Sequence, residues 1–211
     1  MARIFFCCAL SLTKSSNMSL RELKSLINLA IVDFQEIIDV NPKAVLSEGD
    51  FERILANCIS SRINYNPGEI RPKSYAVYTQ ISHYDNEDDV LNARVDIILM
   101  KPDRIKQYRG HHKGFFYKSK ESLAIELKYR HEDNRSCVTA AKDDIDKFLK
   151  YKEDSYYYAI ILLDENNNTS EHEKEILDYF KCEKKKLEKK YLNKFFCKVL
   201  KKRSFDSNNK L

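Results

Sequence analysis

The sequence has no tryptophan, only four glycines and four prolines in 211 residues, and no apolar run long enough to cross a membrane. So few loop formers exclude a linker-like chain, and 43% hydrophobic with 33% charged residues is the composition of a folded protein rich in regular elements. Six cysteines stand at positions 7, 8, 58, 137, 182 and 197, without a CxxC pair and without the His/Cys spacing of a zinc site. They read as reduced, mostly buried thiols of a cytoplasmic protein. The apolar run Ile4 to Leu10 follows one Arg and resembles the core of a signal peptide. It lacks a small-residue cleavage site and is far too short to span a bilayer. The expectation is a ragged or disordered segment over 1–18, a fold opening near Met18, no membrane association and a cytoplasmic location. No internal repeat is visible.

Thirteen Tyr and eleven Phe are present instead of Trp, which suggests a tyrosine-rich surface suited to nucleic-acid contact. The net charge of +5 is unevenly spread: residues 184–203 carry ten Lys/Arg against one Glu, a net +9, and leave the rest of the chain at −4. An acidic body with a basic segment points to a polyanionic partner. A solvated helix face accounts for the same residues equally well.

Apolar residues at Leu20, Leu23, Ile27, Ala30, Ile31, Phe34, Ile37 and Ile38 predict an amphipathic helix over 19–40, capped by Ser19 and stopped by Asn41-Pro42. A second helix is expected from Ser47 to Ile63, with Phe51, Leu55 and Ile59 inward. Strands are expected at Ser74–His83, Asn92–Met100 and Ser122–Tyr129, a helix at Thr139–Tyr151, and a buried strand at Tyr156–Leu163. Between Lys101 and Glu121 lies a polar connection with seven Lys/Arg, including Arg109 and Lys113, and the pair His111-His112. From 170 to 203 the chain reads as one basic helix, with Leu187, Tyr191, Phe195 and Val199 as its apolar stripe, and 204–211 reads as a disordered tail. The whole of 19–203 is one α/β domain with a mixed sheet, the late β-α-β step favouring a parallel crossover.

Asp96 stands mid-strand among Val95, Ile97 and Ile98, and a carboxylate there is costly to bury unless it is paired or binds a cation. Glu126 and Lys128 show the same anomaly in Ala124-Ile125-Glu126-Leu127-Lys128-Tyr129. Strand alternation puts Glu126 and Lys128 on one face and Ile125 and Leu127 on the other, so pairing of the two strands would let Asp96 join them. Two carboxylates and an ammonium suit phosphodiester hydrolysis. Carboxylate oxygens hold Mg2+, the ion polarises the phosphoryl group, and a lysine orients water or neutralises developing charge. The ExK string alone means little, because it recurs at Glu22/Lys24, Glu183/Lys185 and Glu188/Lys190 in charged helical surroundings.

The set RVDIIL around Asp96, then IELKY around Glu126 and Lys128, then the helix AKDDIDKF resembles the PD-(D/E)xK, or restriction-endonuclease-like, nuclease superfamily over roughly residues 48–163. The resemblance implies an α-β-β-β-α-β core with extra terminal helices. It makes Asp96 and Glu126 metal ligands for Mg2+ or Mn2+ and Lys128 the catalytic lysine. It adds a helix-borne glutamate, for which Glu48 and Glu52 both stand in SEGDFERIL, Glu48 being favoured as nearer the helix N-terminus. No Pro precedes Asp96, Gln80 stands in the first strand as a site-supporting residue, and the spacing to Glu126 implies an insertion. The expected activity is a metal-dependent endonuclease acting on nucleic acid, DNA first, in defence, repair or mobile-element biology, with a homodimer as a candidate assembly. Lys185, Lys189, Lys190, Lys113 and Arg109 are candidate phosphate contacts. The alternatives are a catalytically silent nucleic-acid-binding module and an interaction protein docking through its basic helix. Lys142, Asp143, Asp144, Asp146 and Lys147 read as ordinary helix charge patterning, with support of the site or a DNA contact as the rival reading.

Overall fold

The computed structural model describes residues 18–63, 75–84, 91–102, 105–108, 114–117, 122–149, 156–187 and 192–203. In order these form α1 (Leu20–Val40), a 3-10 turn (Pro42–Ala44), α2 (Glu48–Arg62), β1 (Ala76–Tyr84), β2 (Leu91–Met100), β3 (Ile105–Tyr108), β4 (Gly114–Tyr117), β5 (Leu123–Tyr129), α3 (Asn134–Leu149), β6 (Tyr156–Asp164), α4 (Thr169–Lys185) and β7 (Phe195–Lys202).

The first helix starts where Ser19 and Glu22 cap each other. The Glu22 amide donates to Ser19 Oγ at 3.2 Å, and the Ser19 amide to Glu22 Oε2 at 2.7 Å. Its inward residues Leu23, Ile27, Ala30, Ile31, Phe34 and Ile38 are buried at the three-four spacing of the sequence. Ile37, expected among them, is 40% exposed instead. Ser47 caps α2 by accepting the Asp50 amide at 3.1 Å, and Phe51, Leu55 and Ile59 face inward. The two helices meet at the rings of Phe34 and Phe51, 4.8 Å apart, and through a two-pronged Arg62–Asp33 pair.

The described strands make one mixed sheet in the order β3-β4-β1-β2-β5-β6-β7. From β1 through β2 to β5 neighbours run antiparallel, whereas β5, β6 and β7 run parallel with α3 and α4 as the connecting helices. Helices flank the sheet on both faces. Tyr158, Ile160 and Leu162 of β6 pack in the cluster that holds α1 and α2, and Ala159, Ile161 and Leu163 in the cluster that holds α3 and α4. Burial on both faces is why Tyr156–Leu163 reads as an unbroken apolar run. No described helix is long and apolar enough to cross a membrane.

Four further expectations need correction. The single basic helix over 170–203 does not form: α4 stops at Lys185, and Phe195–Lys202 is a strand parallel to β6. The four-residue apolar recurrence fits a helix, but Phe-Phe-Cys-Lys-Val suits a strand equally, and the open edge of β6 decides between them. The polar connection after β2 contains the antiparallel pair β3–β4, whose β4 also lies parallel to β1. Helix α3 begins at Asn134, five residues early, because Asp133 Oδ1 takes the Ser136 amide at 2.9 Å. Tyr75, Tyr129, Tyr157 and Tyr158 are core residues, not surface ones. All but Met18 of the expected ragged start over 1–18, the tail 204–211 and the pair His111-His112 lie outside the described residues.

The α1–α2 layer should behave as core. Phe34→Ala, at a fully buried site against the tilted ring of Phe51, should lower unfolding stability by about 3–5 kcal/mol in chemical denaturation, whereas Val32→Ala on the outer face should change it by less than about 1 kcal/mol. Equal effects would refute this packing.

Candidate functional site

The site is built on a gap in the ladder. Strands β2 and β5 pair at Leu99↔Leu123, Ile98↔Ala124 and Ile97↔Ile125, and no further pair follows. One residue beyond, the Asp96 carboxylate takes the place of a strand partner: Oδ2 accepts the Leu127 amide at 2.7 Å. Two residues farther, Glu48 Oε2 at the start of α2 accepts the Tyr129 amide at 3.2 Å. Buried amides need acceptors, and ionised acceptors make the stronger bonds. The other edge of β5 stays paired with β6 from Leu123↔Tyr156 to Tyr129↔Leu162, which keeps the strand straight past the fork.

Gln80 of β1 faces this fork. The β1–β2 register passes from Thr79↔Ile97 to Ile81↔Val95, leaving Gln80 at the level of Asp96. Its φ is +55°, a left-handed conformation uncommon outside glycine and costing on the order of 1 kcal/mol or more. That backbone sets the side-chain amide between two carboxylates: Gln80 Nε2 lies 2.5 Å from Glu52 Oε2 and 3.2 Å from Asp96 Oδ1. Glu48 and Glu52, one helical turn apart, thus reach the same site by different routes.

Glu126 and Lys128 point to the opposite side of β5 from Ile125 and Leu127, and there they meet α3. Lys147 Nζ donates to Glu126 Oε1 at 2.9 Å, while Glu126 Oε2 is buried with no hydrogen-bond partner among the described residues. Lys128 Nζ lies 3.1 Å from Asp144 Oδ2 and 3.4 Å from Glu48 Oε2. The Asp144 contact is an ion pair without the alignment of a hydrogen bond.

Burial pushes the Asp96 carboxyl up to about 6, with the Leu127 amide opposing and Glu48 adding to the rise. Burial and then the charge of Asp96 push Glu126 up to about 8 against the pull of Lys147. For Lys128 burial acts downward, but Asp144 and Glu48 outweigh it and hold the ammonium above its ordinary range. The two acids are poorly compensated and the lysine is firmly cationic.

Contacts thus join Gln80 to Asp96 and Glu52, and Lys128 to Glu48, with β5 amides linking Asp96 and Glu48 into the same set, while Glu126, on the same strand, feels the charge of Asp96 and bonds to Lys147. Lys185 ends α4 on an exposed position outside this set, and Lys189, Lys190, Lys113 and Arg109 fall outside the described residues. Asp144 and Lys147, which the sequence marked only as helix charge patterning with site support as the rival reading, are the two of that group that contact β5. Among the helix charges around them, Lys142 pairs with Glu175 and Asp146 with Tyr179, so only contact with β5 separates the two kinds. No group of three His, Cys, Asp or Glu among the described residues is gathered so as to hold a metal ion. Comparison of the chain with protein-family models, with curated proteins and with solved structures finds no match in any of the three.

The raised carboxyls have a consequence for stability. An acid whose folded pKa lies above its unfolded value keeps protons on folding, so the native state gains at low pH and loses as pH rises toward the folded pKa. For Glu126 that window runs from its ordinary 4.5 to about 8. Glu126→Gln should therefore stabilise the metal-free protein by on the order of 5 kcal/mol at about pH 9, shrinking to about 1 kcal/mol or less near pH 5, in denaturation series at each pH. A gap independent of pH would contradict the buried, uncompensated carboxylate.

Proposed function

We propose that this chain is a metal-dependent nuclease of the PD-(D/E)xK type that hydrolyses nucleic-acid phosphodiester bonds, with DNA as the substrate class. One observation carries the reading: where β2 and β5 part, Asp96 and Glu48 hold the amides of β5, Lys128 pairs with Glu48, and Glu126 on the same strand is raised by the charge of Asp96. A generic buried ion pair would not need two under-compensated carboxylates beside a separately neutralised lysine. The element order α2-β1-β2-β5-α3-β6, antiparallel up to β5 and parallel after it, supports a restriction-endonuclease-like core with β3–β4 as an insertion and α1, α4 and β7 as additions.

The donor set suits a hard divalent cation. It offers oxygens only, one buried carboxylate oxygen lacks a partner, and Asp96 and Glu126 repel each other. Mg2+ commonly takes one or two protein carboxylates and keeps several waters, so this pair is enough without a gathered third ligand. A bound Mg2+ or Mn2+ would supply Lewis-acid polarisation of the phosphoryl group and a more acidic water. Asp96 and Glu126 would hold it, with Glu48 or Glu52 as the further acid from α2. Lys128, kept charged by Asp144 and Glu48, acts as donor and counter-charge to the phosphate in the transition state and not as a general base. Gln80 holds Asp96 and Glu52 in fixed relation.

One observation favours a second reading. Lys147 already occupies Glu126 Oε1, as a protein cation would in a catalytically silent nucleic-acid-binding module. In either case the partner is nucleic acid and the place of action is the cytoplasm.

Incubation with linear, circular and single-stranded DNA and with RNA, in Mg2+, Mn2+ or EDTA, separates the two. A nuclease cleaves at least one substrate with metal and none in EDTA, and Asp96→Ala or Lys128→Ala lowers the rate by about 100-fold or more without loss of fold. Binding without cleavage in every metal would establish the silent module. Full activity in either variant would remove these residues from catalysis.

A further inference from the structure

The last residue of β7, Lys202, is fully buried, an unusual place for an ammonium. The parallel register sets it beside Asp164, and the Glu165 amide fixes its carbonyl at 2.7 Å. Its Nζ has partners on two strands and the connection before α2: Asp164 Oδ1 of β6 at 3.1 Å, the Tyr129 hydroxyl of β5, and Val45 O at 2.8 Å. Asp164 is itself held, accepting the Glu132 amide at 2.7 Å, while Asn134 bonds both its backbone groups. Val45 lies two residues before Ser47, the cap of α2, and three before Glu48. Tyr129 is the joint, since its hydroxyl meets Lys202 and its amide meets Glu48.

We infer that Lys202 is a positioning residue, tying the segment that launches α2 to the end of β5 and so setting where Glu48 meets Lys128. The inference rests on the nuclease reading for its functional meaning but not for its geometry. Replacing a buried ion pair with apolar residues is often neutral for stability, so the core alone does not require this lysine. An apolar side chain could fill the space, but it could not bond a loop carbonyl, a tyrosine and a carboxylate together. β7 thereby acts on the fork without touching it.

Lys202→Met combined with Asp164→Asn removes both charges of the buried pair together, and His131, which also lies 3.3 Å from Asp164, is 40% exposed and keeps Glu132 beside it. Hydrogen exchange by NMR compares the Tyr129 amide, bonded to Glu48, with the Ile160 amide in the middle of β6. Tyr129 protection is expected to fall about tenfold or more while Ile160 keeps its own. Unchanged protection at Tyr129, or an equal fall at both amides, overturns the inference, the latter because it is what a merely structural lysine predicts. If the double variant does not fold, Tyr129→Phe keeps the ring and both charges and removes only the hydroxyl. Weakened protection at position 129 then supports the inference, and wild-type protection there overturns it. Exchange is read without substrate, so absence of cleavage in the wild type would defeat the nuclease reading and leave this result standing. In an active enzyme the double variant lowers kcat with KM little changed.

Discussion

Two backbone amides of β5, those of Leu127 and Tyr129, bond to carboxylates where a neighbouring strand would ordinarily serve them. Much of the molecule's polar architecture follows from that substitution. Strand β2 has to part from β5 at Asp96 for the carboxylate to reach the amide edge. Helix α2 has to begin over the end of β5 for Glu48 to do the same, which gives the Ser47 cap and the Lys202–Val45 contact their importance. Gln80 takes a left-handed backbone to set one amide between Glu52 and Asp96. Lys128 lies between Glu48 of α2 and Asp144 of α3, so the two helical layers meet electrostatically at the fork.

Such a site is maintained at a cost to the fold. Raising Glu126 from 4.5 to about 8 corresponds to on the order of 5 kcal/mol against its ionised form. A single net hydrogen bond contributes about 1 kcal/mol, so Lys147 alone does not offset it. The compensation lies in the surrounding core, with β5 and β6 buried on both faces and helices packed over each. A rigid three-layer frame can hold two carboxylates close together that would otherwise turn to solvent. A divalent cation relieves the same repulsion, and this links the cost of the site to its proposed chemistry.

The chemistry-bearing strands were legible because their anomaly is local. Asp96, Glu126 and Lys128 interrupt apolar runs, and period-two alternation says which neighbours share their face. Helices α1 and α2 were legible from cap residues and apolar spacing. What could not be read depended on partners distant in sequence. Phe195–Lys202 satisfies both periods, and only the edge of β6 makes it a strand. Four-residue strands such as β3 and β4 are too short for alternation to emerge. Asp144 and Lys147 look like their neighbours until α3 is laid against β5, and the buried tyrosines look like surface ones until Asp164 and Lys202 are brought to Tyr129.

The central claim is that Asp96 and Glu126 form a cation site. Calorimetric titration of Mn2+ into metal-free protein tests it directly, in two buffers of different protonation enthalpy and alongside Asp96→Asn. The account predicts saturable binding that releases protons below about pH 8, where Glu126 still carries one, and that is lost or strongly weakened in the variant. No binding heat, or binding unchanged by Asp96→Asn, would contradict it.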